Sequence, residues 1–333
     1  MPLESNKKLY IMYILKTLKE YSDEDHPITQ AEIISKIDSL WGVKLDRKTV
    51  SRTLDSLIDM GIDIVKLDGG GCYIADRELE PSEITYLIDA IFSSRTLSSK
   101  QALALSKKLS NMLSVYKRKK YNYIYKTEDV VRTDNKQLFF SIDLISEAIE
   151  TGKQISFNYD RHYLDDEKSE KQKQKEYVIN PYFMVNNQGK YYLVCNYDYF
   201  DDIANYKLEQ IKNVKILNTP IKPITKIKGF EKGLDKAKYI NENIYMFSTG
   251  TISAEIKIND EYAINYVLEW FGKNTHLYKR NNEIFARIKA NETALIYWCL
   301  QYGDYVELVS PVDTRNKIKV IVDDMYNKYK ENK

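Results

Sequence analysis

The chain has 333 residues, enough for two or three domains that each bury a core without help from disulfides or metals. Its 50 basic and 48 acidic residues nearly cancel, so any polyanion-binding surface has to be local rather than chain-wide. No apolar run reaches the length of a membrane span, "MPLESNKKLY" has no signal-peptide core, and Cys72, Cys195 and Cys299 lie far apart in apolar surroundings, which together lead us to expect a cytoplasmic protein.

Residues 6–21 place Leu9, Met12, Tyr13, Leu15 and Leu18 at helical spacing. Pro27 then breaks the chain, and Thr29 with Glu32 three residues later forms a capping box ahead of Ile33, Ile34 and Ile37. In "DRKTVSRTLDSLIDMG" Asp46 is placed to cap, Val50, Leu54 and Leu57 share a face, and Gly61 stops the helix. "IDIVKLDGGGCYIA" reads as a hairpin turning on Gly69, Gly70 and Gly71. Three helices and a hairpin in this order predict a winged helix-turn-helix over 1–78. Residues 80–118 read as two helices starting near Pro81 and Ser98, and 119–137 as a linker, giving a helical linker region over 79–137.

The helix "SIDLISEAIETG" opens a second unit of about five short strands, beginning with "QISFNYD". The polar stretch "RHYLDDEKSEKQKQK" between Asp160 and Glu176 reads as a mobile loop. A helix and five antiparallel strands over 138–222 predict a small barrel of the Sm or SH3 kind. Over 223–333 the order is β-α-β-β-α-β plus a final helix, which predicts a ferredoxin-like domain. The class is therefore α+β and multidomain.

Residues 44–52 hold four basic side chains and one acid inside a first segment, 1–78, whose net charge is −3. On the predicted recognition helix, Arg47, Lys48, Thr49, Ser51 and Arg52 fall off the apolar face, where a major-groove helix needs donors. Lys44, the helix-start residues Thr29 and Gln30, and Lys66 on the wing complete the expected DNA-binding set. The basic run 107–126, seven Lys or Arg without an acid, reads first as a solvated helix end and second as a phosphate-facing strut. His26, His162 and His276 stand isolated, and no H-x-x-x-H, C-x-x-C, G-x-S-x-G or phosphate loop occurs, so no enzymatic activity, metal or cofactor is expected.

Most of the 28 tyrosines read as packing residues, but Tyr159, Tyr182, Tyr191, Tyr192 and Tyr206 fall on neighbouring strands beside Lys190 and Lys207, a pattern suited to stacking bases and meeting phosphate. Strand alternation puts Tyr191 and Tyr192 on opposite faces, so one of them belongs to the core. "INPYFMVNNQGKYYLVCNYD", "ANYKLEQI" and "YWCLQYGDYVELVSP" together resemble bacterial transcriptional regulators built from a winged helix-turn-helix, a WYL domain and a C-terminal WCX extension. Tyr191 stands where the family's Trp is usual, Tyr192 is the motif Tyr, Tyr206 the motif aromatic, and Lys207 takes the place of an Arg. Trp298 and Cys299 match the pair that names the extension. Ala204 and Gln210 replace two further arginines, so either the ligand pocket is altered or Arg161, His162 and Lys190 substitute.

The resemblance implies a homodimer that binds an operator in double-stranded DNA, a repressor, with 223–333 as the dimerisation domain. It also implies a barrel that senses a single-stranded nucleic-acid fragment or nucleotide through Tyr192, Tyr206, Lys207 and the Gln210 position, to which the strand pattern adds Tyr159, Tyr182 and Lys190, with Arg161 and His162 as substitutes for the replaced arginines. The alternative is an RNA- or single-stranded-DNA-binding accessory of a defence or nuclease system.

Overall fold

The computed structural model describes residues 9–119, 132–164, 170–272 and 275–330, with side chains undescribed over 160–164 and 170–174. Among the described residues, helices and three antiparallel sheets make a mixed α and β protein, which divides into two compact units, Met1–Asp134 and Asn135–Lys333. No helix among the described residues is long and apolar enough to cross a membrane.

In the first unit, helices α1 (Tyr10–Tyr21), α2 (Gln30–Trp41) and α3 (Arg47–Asp59) enclose Ile14, Leu18, Ile33, Ile37, Val50, Leu54 and Leu57. The expected caps form: the Thr29 hydroxyl accepts from the Glu32 amide while Glu32 bonds back to the Thr29 amide. Strands β1 (Ile64–Leu67) and β2 (Gly71–Ile74) make the hairpin, and Gly70 at φ +81 takes the left-handed turn position that an L-residue resists. Ile28 pairs with Cys72 through two 2.9 Å backbone bonds, tying the start of α2 to the hairpin.

Helices α4 (Pro81–Ser93), α5 (Ser99–Ser110) and α6 (Val115–Arg118) complete the described part of this unit. The sequence predicts one helix through residue 118, but α5 stops at Ser110 and Ser114 starts the short α6. The reason lies 91 residues upstream: the Ser114 hydroxyl donates to the carboxylate of Asp23, a residue only 2% exposed. His26 Nδ1 lies 2.8 Å from the other Asp23 oxygen, and its ring stacks on Tyr116 at 4.0 Å and 5°. Lys117 pairs with Glu24 at 2.6 Å. Thus His26 is not isolated, and Lys117 in the basic run faces a carboxylate rather than open solvent.

Burial alone would push the Asp23 carboxyl up, but the Ser114 hydroxyl and His26 outweigh it and hold it below the usual carboxylate range. A depressed carboxyl stabilises the fold above its ordinary value of about 3.9 and loses that contribution as pH falls through the folded value. Ser114→Ala is expected to destabilise the first unit by about 1 kcal/mol near neutral pH, with the deficit shrinking below about pH 4. Urea unfolding followed across pH checks both statements.

The second unit begins with α7 (Leu138–Glu150), packed on a sheet of β3 (Lys153–Leu164), β4 (Glu170–Asn187), β5 (Lys190–Asn196), β6 (Ile203–Lys207) and β7 (Ile211–Pro220), in the order β6-β5-β4-β3-β7. The polar stretch expected to be a loop is instead largely strand, with Asp160 to Leu164 paired against Gln174 to Glu170. Ladder bonds come from the backbone, so such a ribbon forms without an apolar face. Opposite edges β6 and β7 are joined only by the 3-10 turn Leu208–Gln210, which obliges the sheet to curl. In a flat sheet β6 and β3 would lie about 14 Å apart, yet Tyr206 and Tyr159 have ring centroids 4.8 Å apart.

The chain then runs through α8 (Lys236–Glu242) into β8 (Thr251–Ile258), α9 (Ile264–Phe271), β9 (His276–Arg280), β10 (Glu283–Asn291), α10 (Glu292–Gln301), β11 (Val306–Ser310) and α11 (Val312–Tyr329). These strands align as β11-β8-β10-β9, with Trp298, Leu295, Val267, Ile256 and Ala286 in the core between sheet and helices.

Candidate nucleic-acid interface

Helix α3 buries Val50, Leu54 and Leu57 and turns the rest of its first turns outward. Lys44, Arg47, Lys48 and Arg52 are exposed, and none of them has an ion-pair partner among the described residues. Four such charges in one short stretch repel one another, an arrangement that a polyanion relieves. Thr49 is committed locally: its amide and hydroxyl both donate to Asp46, each at 2.8 Å, and these bonds hold the Asp46 carboxyl below its usual range.

A cleft of about 470 Å³ opens between the start of α2, the first two turns of α3 and the hairpin. Thr29, Gln30, Arg47, Ser51 and Lys66 line it together with Gly70 and Gly71, whose lack of side chains leaves the hairpin backbone accessible. Five of the residues singled out from sequence thus share one concave surface, and Lys44, Lys48 and Arg52 lie outside its lining. Two details differ from a simple phosphate contact. Lys66 is paired with Asp55 at 2.5 Å, and the Thr29 hydroxyl donates to Glu32 at 2.7 Å. Asp55 lies eleven residues from Lys66, a pairing that helical spacing does not announce.

The residues expected to bind a ligand in the second unit are divided by the curl of its sheet. Phe157, Tyr159, Tyr177 and Tyr206 meet on the concave side, with Tyr206 ring centroids 5.2 Å from Phe157 and 5.4 Å from Tyr177. The Tyr159 hydroxyl donates to Gln210 at 2.5 Å, and the Tyr206 and Tyr197 hydroxyls bond to each other. Burial, aided by that bond, pushes the Tyr206 hydroxyl well above the ordinary tyrosine range.

Tyr182 and Tyr192 sit on the other side. They pack with Phe183, Val194, Ile227, Tyr239 and Met246, and the Tyr182 hydroxyl donates to the Lys222 carbonyl at 2.9 Å. The parity read from sequence holds, but Tyr192, not Tyr191, is the more buried partner, at 8% exposure. Tyr192 pairs across the ladder with Lys207, and Lys190 is exposed two residues before it on the same side. The Arg161 and His162 side chains lie outside those described.

Glu209 lies near Lys207 and Lys190, but burial outweighs both cations and pushes its carboxyl above the ordinary value. A raised carboxyl contributes stability present below about pH 4.3 and lost as pH rises through the folded value. Glu209→Gln is therefore expected to raise the unfolding midpoint of the second unit near neutral pH, the gain vanishing below about pH 4. Denaturant melts at the two pH values make the comparison.

Sequence reading passed over the loop Tyr197–Asp202, although its aromatics continue the concave cluster outward: Tyr197 is 6.3 Å from Tyr177 and 5.7 Å from Tyr199, and Tyr199 is 4.7 Å from Phe200. The density of rings in "NYDYFDD" was the available signal.

The family model described as WYL domain matches residues 141–216, so the chain contains a WYL domain spanning most of α7 and the curled sheet. No curated protein matches the chain. Among solved structures, the chain is similar to Proteasome accessory factor B/C (PafBC) of Arthrobacter aurescens, at 13% identity and a TM-score of 0.28, over 96% of this chain and 49% of that one. It therefore spans about half the length of PafBC. It is also similar to a CRISPR Cas-related protein, at 14% identity and a TM-score of 0.37, over 96% of this chain and 84% of the other. Both overlaps are too loose to carry a functional inference.

Proposed function

We propose that this WYL-domain protein is a cytoplasmic, homodimeric transcriptional regulator, a repressor, that grips duplex DNA with its N-terminal unit. In this reading 1–78 is a winged helix-turn-helix, 79–137 a helical linker, 138–222 a WYL barrel of the Sm type and 223–333 a ferredoxin-like dimerisation domain of the WCX kind. The observation that carries it is α3: a capped amphipathic helix whose exposed turns carry Arg47, Lys48 and Arg52 without acidic partners among the described residues, beside a cleft that also presents Gln30 and Ser51. A helix presented this way meets base edges and phosphates in the major groove while the hairpin follows the backbone. Two such heads on a dimer read a palindrome with half-sites spaced by whole helical turns.

The WYL barrel senses a nucleic-acid fragment or nucleotide, with Lys190 and Lys207 supplying positive charge beside β5 and β6. The ligand shifts DNA affinity only by its own preference for one arrangement of the protein over another. Support for dimerisation comes from α11, where the exposed Val322, Met325, Tyr326 and Tyr329 line a groove of about 760 Å³ that also includes Leu300, Val306 and Leu308.

Arg47→Ala with Arg52→Ala tests the head directly. The double variant is expected to bind the protein's own upstream region at least about tenfold more weakly, with the salt slope of log K reduced by about 2. Unchanged duplex binding with strong RNA or single-strand binding would move the assignment to a nucleic-acid accessory protein. Separately, Val322→Glu with Tyr326→Glu is expected to convert dimer to monomer, as measured by light scattering.

A further inference from the structure

The loop Tyr197–Asp202 between β5 and β6 combines two properties that seldom occur together. Loop tips are usually small, polar and mobile. Here Tyr199 is 76% and Phe200 54% exposed, while the backbone beneath them is held from several sides. Asn196, fully buried, donates to the Phe200 and Asp202 carbonyls at 2.8 and 2.9 Å. Its side-chain Oδ1 accepts from the Asn180 side-chain amide, whose own Oδ1 accepts from the Gln154 side chain and from the Lys222 backbone amide, so a chain of buried amides reaches across three strands. The Lys222 ammonium donates to the Phe200 carbonyl at 3.0 Å and to the Asp201 carboxylate at 2.7 Å. The Lys228 amide donates to the Asp201 carbonyl at 3.1 Å.

Two apolar rings are thus kept in water on a rigid mount, the arrangement of anchors organised before a partner arrives. The charge around them selects the partner. Asp198, Asp201 and Asp202 are all exposed, and among the described residues neither Asp198 nor Asp202 has an ion-pair partner. A phosphate backbone would be repelled, since Lys222 is already engaged by Asp201. A guanidinium fits both features, because it lies flat on an aromatic face and takes a carboxylate in two parallel bonds, which an ammonium cannot do.

The geometry points to this loop as a docking surface for an arginine-bearing segment of a partner protein. The site belongs to the second unit and does not depend on the DNA-binding reading of the first. The test uses the full chain and fluorescence anisotropy with a labelled nonapeptide of alternating arginine and glycine, its lysine counterpart, and a twelve-nucleotide oligo-dT. The arginine peptide is expected to bind several-fold more tightly than the lysine peptide. Tyr199→Ala with Phe200→Ala is expected to weaken it by about tenfold, and Asp198→Asn with Asp202→Asn by several-fold. Both variants change only exposed side chains, so thermal melts and duplex DNA binding are expected to match the parent.

Failure of the parent to bind the arginine peptide overturns the proposal, as does equal binding by the ring-deleted variant. Oligo-dT binding that the ring deletion abolishes would make the loop a base-stacking platform and overturn it as well. A change in oligomeric state on ring deletion would assign the rings to a contact between copies, with the same consequence.

Discussion

A three-residue connection governs the second unit. Leu208–Gln210 joins β6 to β7, the two opposite edges of a five-stranded sheet, and a flat sheet cannot be closed by so short a link. Curling brings strands three places apart into side-chain contact, so the concave side fills with rings and the convex side is left to be covered by the chain that follows. β5 is consequently buried on both faces, with Leu193 and Cys195 inside and Tyr192 and Val194 outside. The aromatic wealth of this unit is the material that fills a tight curve.

That geometry also explains what became of the family motif. Gln210, where the resemblance led to an arginine, accepts the Tyr159 hydroxyl inside the curl and so acts as an internal tie. Ala204 stands opposite Cys195, whose thiol lies 3.4 Å from the Ala204 carbonyl oxygen. The two positions carry packing and a neutral hydrogen bond, while Lys190 and Lys207 lie toward one end of the same two strands.

In the first unit the design is one of local closure. Each of α2 and α3 is capped by its own side chains, and those caps leave the outward cations of α3 uncompensated. Asp23 plays the opposite part: a buried carboxylate satisfied from two directions, which fastens residues 114–117 to the end of α1. Breaking one partner of a buried charge is costly because the remaining group is stranded away from water, so this junction holds α6 against α1.

Whatever depends on a few neighbouring residues was legible beforehand. The capping box at Thr29 and Glu32, the Asp46 cap, the Val50, Leu54 and Leu57 face, the glycine hairpin and the β-α-β-β-α-β order all follow from local hydrogen bonding and from periodicities of 3.6 and 2, and all are present. Decisions that rest on residues far apart in the chain were not legible. Only the fold shows that Ser114 leaves its helix for Asp23, that His26 stacks on Tyr116, that Lys66 is taken by Asp55, and that a polar run pairs as a ribbon through its backbone. The parity of Tyr191 and Tyr192 was fixed by the pleat, whereas which of them lies deeper depended on which side the rest of the chain came to cover. Alternation along a strand is set residue by residue, but burial is set by what packs against it.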